Sequence, residues 1–301
     1  MKATNHKTLT TRIKHTLLAH CGYGQIDVPA SLEILRSWLP VHVGVSTVAA
    51  VKKAIVFLET GVPQWSVFMR EGNGKLPFTA FSALPGQAFC PGAGSVESDG
   101  CLAWCYSTKA WRYPDAFLRQ WQNTILLQTA AGRAHIAEQF AACDAGTLRL
   151  YVDGDFDSMG TLKFWQALLA TRPDIDAYGY SKSFELLLAY DKTHAWPLNY
   201  ALNLSSGHNS DPATAEKIRG LECYRGDFVA VHLPPGTPKP VKGRFATAAD
   251  EVAYHRAVRE AARHAGLGKV FSCPLLCGDC AKKHVCGDKK VGITVATGNH
   301  A

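Results

Sequence analysis

The stretch that decides the fold runs Leu148-Arg149-Leu150-Tyr151-Val152 and continues directly into Asp153-Gly154-Asp155. Its leucine, aromatic and β-branched residues predict a buried strand, and the acidic segment with its glycine predicts the turn that ends this strand. A segment with helical spacing follows at 159–171. We therefore predict a strand followed by a helix, which is the repeating unit of parallel α/β folds.

The same order of strand and helix continues toward the C-terminus. Further strands are predicted at 176–180, 199–204 and 228–233, and further helices at 183–190 and 212–221. Asp155, Lys182 and Ser205 follow successive strands, and parallel sheets gather such positions at one edge. Doubly wound and barrel arrangements both fit, and we expect an α/β fold with a parallel sheet that forms a partial or full TIM-barrel-like core.

The polar residues after these strands are candidate site residues. Asp153, Asp155 and Asp157 would face one side of an extended strand, where carboxylates suit a hard cation such as Mg²⁺. Asp and Gly are also typical of turns and helix caps, and we favour that interpretation for Asp153 and Asp157. Lys182 and Ser205 suit a carboxylate or phosphate group, or belong to ordinary polar loops.

The regions on either side of this repeat have a different character. We predict a helical N-terminal part at 1–75, the barrel-like core at 76–236, and a basic, cysteine-rich C-terminal region at 237–301 that packs on the core. Within them the pattern predicts helices at 31–39, 51–58, 114–140 and 248–265, short strands at 65–69 and 78–82, and a turn at 72–74. A chain of 301 residues is long enough for one large domain with such additions.

The chain contains ten cysteines. Its N-terminal residues lack the apolar stretch of a secretory signal, and no uninterrupted apolar run approaches the ~20 residues of a membrane span. We therefore expect a cytoplasmic protein without membrane contact, in which thiols stay reduced. Clustered cysteines in such a protein indicate a metal ion or an iron–sulfur cluster.

Four cysteines near the C-terminus have the spacing C-x3-C-x2-C-x5-C and form what we call the second cysteine group: Cys273, Cys277, Cys280 and Cys286. Four thiolates this close together, with Gly278 allowing a tight turn, can surround one metal centre. Lys282, Lys283 and His284 add positive charge, which lowers thiol pKa values. Spacing alone does not separate zinc from a 4Fe–4S cluster, and four unrelated buried thiols are the remaining alternative.

Three cysteines in a Gly/Pro-rich stretch have the spacing C-x10-C-x3-C and form the first cysteine group: Cys90, Cys101 and Cys105. Three thiolates leave one position of a metal centre open, which a catalytic or ligand-binding site requires. A fourth ligand from Cys143, Cys223 or a histidine would instead make a structural site. Seven cysteines suit one open and one fully ligated 4Fe–4S cluster, which leaves Cys21, Cys143 and Cys223 as ordinary thiols.

The net charge of +7 is concentrated toward the C-terminus, where residues 239–290 hold eleven basic and five acidic residues. Such a surface suits nucleic acid or another polyanion. A solvated basic face, or compensation for a thiolate–metal centre, explains it equally well. Near the first cysteine group, Lys109 and Arg112 alternate with aromatic residues that suit either base stacking or packing under a helix: Trp104, Tyr106, Trp111 and Tyr113.

Two motifs resemble those of radical S-adenosylmethionine (SAM) enzymes. The spacing of Cys277, Cys280 and Cys286 is similar to the auxiliary-cluster motif of the SPASM type. The spacing from Cys273 to Cys280 also matches the C-x3-C-x2-C of the radical SAM cluster, although in that family the motif follows the first barrel strand. The first cysteine group has the right position and a different spacing. The resemblance implies SAM as a ligand of the open cluster, with Asp155 near the amine of the ligand.

A wider resemblance, over residues 75–290, is to the phage and plasmid gene product 88 family. Besides the cysteine groups, it is carried by Cys90-Pro91-Gly92-Ala93, Leu148-Arg149-Leu150 with Gly154-Asp155-Phe156, Tyr180-Ser181-Lys182-Ser183, and Asn203-Leu204-Ser205. It implies a barrel-type iron–sulfur protein encoded on mobile DNA.

Two functions follow from these observations. The first is a radical SAM-like enzyme with an open cluster on the first cysteine group and an auxiliary cluster on the second. The alternative is a non-catalytic iron–sulfur or zinc module that binds nucleic acid, or a host or plasmid protein, through its basic C-terminal region.

Overall fold

A computed structural model of the protein describes residues 17–18, 21–22, 24–39, 45–70, 76–144, 146–241, 244–280, 285–290 and 292–299. The turn predicted at 72–74, the basic residues Lys282, Lys283 and His284, and the side chain of Cys21 lie outside this description. Both cysteine groups lie within it.

One mostly parallel sheet organises the chain. A small antiparallel hairpin, β1 (Cys21–Gly22) and β2 (Gln25–Ile26), precedes it. The strands of the main sheet are β3 (Phe68–Met69), β4 (Thr79–Phe81), β5 (Thr147–Leu150), β6 (Asp176–Ser181), β7 (Tyr200–Ser205), β8 (Tyr224–Val231), β9 (Val270–Ser272) and β10 (Thr294–Gly298). Their order is β3-β4-β5-β6-β7-β8-β10-β9, and only β3 and β4 are antiparallel neighbours.

The described helices are α1 (Val28–Trp38), α2 (Val45–Thr60), α3 (Pro114–Gln128), α4 (Ala130–Ala141), α5 (Met159–Ala170), α6 (Phe184–Asp191), α7 (Pro212–Arg219), α8 (Ala248–His264) and the single turn α9 (Cys277–Cys280). One helix connects each pair of successive strands from β5 to β8. The predicted parallel α/β fold is therefore confirmed. Among the described residues, no pairing joins the edge strands β3 and β9, so closure of the sheet into a barrel is not seen there.

Strand residues alternate between the two faces of the sheet, as the pleat requires. On one face, Leu148, Leu150 and Leu202 join the main hydrophobic core with residues of the helices. On the other face, Arg149 and Tyr178 line a large cavity. The helices thus cover one face of the sheet, and the second face is free to carry a site.

The single helix predicted at 114–140 is wrong, because the chain leaves the helical conformation at Thr129. This residue is extended (φ −121°, ψ 149°), and its side chain accepts a hydrogen bond from the Gly132 N–H at 3.0 Å. Thr129 therefore caps α4 at the point where α3 ends. A continuous pattern of apolar residues conceals the break.

Strands β9 and β10 extend the sheet beyond the predicted repeat. The last described strand, β10, lies between β8 and β9, so β9 pairs with β10 alone. Helix α8 covers this part of the sheet through a second, smaller core that includes Tyr254, Val258 and Ala262. Among the described helices, none combines the length and apolarity that crossing a membrane requires.

Candidate functional site

A cavity of about 870 Å³ lies on the sheet face opposite the helices. All ten predicted site residues line it: Cys90, Cys101, Cys105, Asp155, Lys182, Ser205, Cys273, Cys277, Cys280 and Cys286. Residues up to 196 positions apart in the sequence therefore lie around one cavity. This agrees with the expectation that parallel strands place their carboxyl ends at one edge of the sheet.

The loop that carries the first cysteine group lies directly on the ends of β6 and β7. The Cys90 N–H donates to the Gly86 carbonyl at 2.8 Å, which forms a tight turn at the first thiol. Gly92 follows, and a Cβ atom at this position would lie 1.6 Å from the Lys182 carbonyl oxygen. Only glycine permits the backbone at Gly92 to approach β6 this closely.

Gly207, just after β7, fixes the other half of this loop. Its carbonyl accepts hydrogen bonds from the N–H groups of Gly94 at 2.8 Å and Cys101 at 2.9 Å. Gly207 has a left-handed φ of 76°, and a Cβ there would meet the Trp104 ring at 2.6 Å. Backbone hydrogen bonds to one carbonyl therefore place Cys101 beside the end of β7.

The thiols of the first cysteine group lie within electrostatic range of one another. Burial raises the pKa of Cys90 to about 12. A hydrogen bond between the Cys101 and Cys105 thiols lowers the pKa of Cys105 to about 6 and raises the pKa of Cys101. The positive charge of Lys182 lowers the pKa of both Cys90 and Cys101 and so opposes the effect of burial. The ammonium group is thus placed to stabilise thiolates here.

Asp155 is buried, and its carboxylate accepts hydrogen bonds from groups of the chain itself. Oδ1 accepts from the Ser181 hydroxyl at 2.7 Å and the Phe156 N–H at 2.8 Å, and Oδ2 accepts from the Lys182 N–H at 2.8 Å. Desolvation by burial raises the pKa of Asp155. The carboxylate ties the end of β5 to the end of β6 and so positions Lys182.

Lys182 and Ser205 form the polar end of the cavity next to the first cysteine group. The Lys182 ammonium donates to the Ser205 hydroxyl at 2.7 Å, which joins the ends of β6 and β7. Both residues line the cavity. An ammonium and a hydroxyl at this separation suit a carboxylate or phosphate group.

The second cysteine group begins where β9 ends. The Cys273 N–H donates to the Ala296 carbonyl of β10 at 2.8 Å, which anchors the first thiol to the sheet. Leu275 then adopts a left-handed φ of 71°, and its N–H donates to the Cys273 sulfur at 3.4 Å. Cys277 and Cys280 occupy the ends of the single turn α9.

Cys286 completes this group from the far side of the tail. The Asn203 side chain, on β7, donates to the Cys286 carbonyl at 2.8 Å. Burial raises the pKa of Cys286, whereas a hydrogen bond with Tyr180 and the charges of Arg225 and Arg149 lower it. Burial also raises the pKa of Cys273 to about 12. The thiols of Cys277, Cys280 and Cys286 all act electrostatically on Cys273, so the four lie in one neighbourhood.

In the described part of the chain, no three thiol, imidazole or carboxylate groups converge closely enough to form a metal site as they stand. The chemistry of the donors nevertheless fits a thiolate-bound centre, since seven thiols in two groups line one cavity. Cys143 and Cys223 are buried in the main core and join neither group. Their prediction as ordinary thiols agrees with this placement.

The acidic turn does not form a shared carboxylate site. Asp153 accepts hydrogen bonds from Gln120 at 2.9 Å and Ser82 at 3.2 Å, neither of which is a partner of Asp155. Tyr151 (φ 56°) and Gly154 (φ 87°) interrupt the extended conformation, so the alternation that would align the carboxylates does not apply. The Asp153 carboxylate is therefore engaged by two side chains of the protein itself, and the turn and cap interpretation stays a prediction for Asp153 and Asp157.

The aromatic residues near the first cysteine group are mostly engaged in packing. The Trp104 indole N–H donates to the Asp99 carbonyl at 3.2 Å, and the Trp111 indole N–H donates to Gln120 at 2.7 Å. Tyr113 is 58% exposed, and the Arg112 guanidinium lies over its ring, 5.0 Å from the centroid. The Trp111 ring meets the Phe117 ring edge-on, with centroids 5.2 Å apart, which favours the packing interpretation for Trp111.

Sequence reasoning missed the polar and aromatic floor of the cavity. Arg149, Tyr178 and Tyr180 project from β5 and β6 toward the second cysteine group. An arginine among apolar strand residues is the signal that could have identified this floor, because a buried parallel strand seldom carries a charge.

Comparison with known proteins gives one significant result. A family model described as gene product 88 matches residues 58–289. Neither curated proteins nor solved structures give a significant match to the chain. The matched segment contains both cysteine groups and the main-sheet strands β3 to β9, and it ends before β10, which also lines the cavity. The chain belongs to the gene product 88 family.

Proposed function

We propose that this protein is an iron–sulfur protein of a mobile genetic element with two centres that share one cavity. The first cysteine group would hold an open 4Fe–4S cluster, and the second would hold a fully ligated auxiliary cluster. The observation that carries the proposal is that all seven cysteines of the two groups line one cavity. Three thiolates and four thiolates are the donor sets that these two kinds of cluster require.

The polar end of the cavity supports a small charged ligand beside the open centre. Lys182 and Ser205 would bind a carboxylate of that ligand, and Asp155 would act as a positioning residue that holds the Lys182 backbone. SAM is the ligand that the radical SAM resemblance suggests. When bound and reduced, the open cluster would supply the electron for reductive cleavage of SAM.

Anaerobic isolation of the protein followed by metal analysis tests this proposal. We expect a brown protein with about eight irons per chain and visible absorption typical of such clusters. Cys101→Ala should lower the iron content to about half, and Cys143→Ala, which changes a core thiol, should leave the iron content unchanged. A colourless protein that carries zinc would contradict the iron–sulfur proposal.

Product analysis after reduction then separates an enzyme from a binding protein. We expect the wild-type protein with added SAM to yield cleavage products, and Lys182→Ala to reduce their rate. A fully loaded protein that leaves SAM intact would rule out the radical SAM-like activity while retaining the iron–sulfur assignment.

A second candidate function is binding of nucleic acid or another polyanion. Arg256, Arg259 and Arg263 are exposed on α8 at spacings of three and four residues, which places them on one helix face. This face supports the non-catalytic alternative, in which the metal centres stabilise the region that carries it.

A further inference from the structure

Two arginines reach the second cysteine group from the sheet. Arg149 projects from β5, and its Nη1 lies 4.0 Å from the Cys277 sulfur. Its guanidinium also lies over the Tyr180 ring, 4.9 Å from the centroid. Tyr180 and Cys286 line the same cavity. Arg149 therefore places a charged donor beside the Cys277 thiol.

Arg225 approaches the same group from β8. It is 1% exposed, and its Nη2 donates to the Asn203 side-chain oxygen at 2.5 Å. The amide of the same Asn203 side chain donates to the Cys286 carbonyl at 2.8 Å, so Asn203 links Arg225 to Cys286. The second guanidinium nitrogen of Arg225 donates to the Ile293 carbonyl at 2.9 Å, just before β10. These bonds fix both the position of Cys286 and the place of a buried positive charge.

Both charges have a clear electrostatic consequence. A buried guanidinium is costly unless negative charge lies nearby, and metal-bound thiolates supply such charge. Hydrogen bonds and positive charge close to the sulfurs of a metal centre increase metal affinity, and in a cluster they raise the reduction potential. Arg149 reaches the second cysteine group at the Cys277 sulfur, and Arg225 reaches it through Asn203, which holds the Cys286 carbonyl.

We propose that Arg149 and Arg225 are positioning residues of the second cysteine group, whose positive charge offsets its thiolates and stabilises the metal bound there. This inference deepens the proposed function and rests on a metal in the second group. It also assigns the compensating charge to the sheet, whereas the sequence suggested the basic C-terminal region.

Chelator competition on the full-length metal-loaded protein tests the proposal. A chelator should remove metal from the two cysteine groups in two kinetic phases. The phase that is lost in Cys280→Ala belongs to the second cysteine group. Arg149→Gln should weaken metal retention in that phase at least about tenfold and leave the other phase unchanged. Arg149→Lys, which keeps the charge, should restore much of the retention. Arg112→Gln, at an exposed arginine near the first cysteine group, is the matched control.

A second readout follows the metal itself. Where the metal is iron, a redox titration of Arg149→Gln should give a lower reduction potential for one cluster only. Where it is zinc, the iron–sulfur proposal fails and the retention assay still decides the role of Arg149. Unchanged retention and potential in Arg149→Gln would overturn the inference. If Arg149→Gln does not fold, Arg149→Lys is measured in its place. Metal retention by Arg149→Lys below a tenth of the wild-type value would overturn the inference, because this variant keeps the positive charge.

Discussion

At the scale of single residues, Leu275 shows how one backbone angle shapes a thiol site. A left-handed conformation costs a non-glycine residue roughly 1–2 kcal/mol. At Leu275 (φ 71°) this conformation turns the N–H toward the Cys273 sulfur, 3.4 Å away. The unfavourable angle is therefore compensated by a hydrogen bond to a sulfur of the second cysteine group.

Substitution of Leu275 should separate the role of the angle from that of the side chain. Leu275→Pro removes the N–H and fixes φ near −65°, so we expect at least about tenfold weaker metal retention by the second cysteine group. Leu275→Gly keeps the N–H and relieves the strain, and should retain metal like the wild type. Chelator competition measures both. Wild-type retention by Leu275→Pro would show that the N–H contributes nothing.

Residue type and spacing were enough to predict the ten candidate site residues, because thiols and polar strand ends have distinctive patterns. The same reasoning could not find Arg149 or Arg225. Each lies within a strand, and their direction depends on the register between strands that are far apart in the sequence. Positions of this kind become evident only when the sheet is assembled.

At the scale of elements, the loop of the first cysteine group depends on contacts too close for any side chain but glycine. Gly92 lies on the Lys182 carbonyl, and Gly94 and Cys101 share the Gly207 carbonyl. The sequence indicated a Gly/Pro-rich loop, and the structure gives the reason for the glycines. They allow a long irregular segment to lie directly on the ends of β6 and β7.

Gly92→Ala should disturb this docking selectively. Its Cβ would lie 1.6 Å from the Lys182 carbonyl oxygen, so the loop must shift, at a cost of about 1–3 kcal/mol in the free energy of unfolding. We expect loss of metal from the first cysteine group and retention at the second. Gly146→Ala, which meets no atom within 4 Å, is the matched control. Urea unfolding and metal analysis provide the measurements, and equal behaviour of the two variants would contradict the docking argument.

Element boundaries were predicted well where the hydrophobic pattern was continuous and poorly where polar residues interrupt it. The structure places β8 at Tyr224–Val231, whereas the prediction began at residue 228. The part of β8 that the prediction missed contains Arg225 and Asp227, and charged residues of this kind are more typical of loops than of buried strands. Arg225 lies in the strand because Asn203 and the Ile293 carbonyl accept its hydrogen bonds.

At the scale of the whole molecule, positive charge is divided between two places. Arg149, Lys182 and Arg225 lie at or near the cavity and act on thiols. Arg256, Arg259 and Arg263 are exposed on α8. The net charge of +7 therefore does not describe one uniform surface.

Replacing Arg256, Arg259 and Arg263 together by Gln tests the exposed set. If α8 contacts a polyanion, the slope of log affinity for duplex DNA against log salt should decrease by roughly 0.9 for each arginine. Fluorescence anisotropy at several salt concentrations gives this slope. A triple replacement of Arg36, Lys52 and Lys53 by Gln removes equal charge from the N-terminal helices and should leave the slope unchanged. Equal slopes in all three proteins would rule out α8 as the contact.

The place of β10 in the sheet has a consequence for synthesis on the ribosome. Among the strands that the structure describes, β9 pairs only with β10, which follows it by more than twenty residues. While β9 is emerging, its only partner strand has not yet been made, whereas β4 to β8 can already associate. The Cys90 loop can therefore dock early in translation, and Cys273 gains its anchor last. The fold therefore predicts an order of assembly, in which the second cysteine group is completed on a sheet that already carries the first.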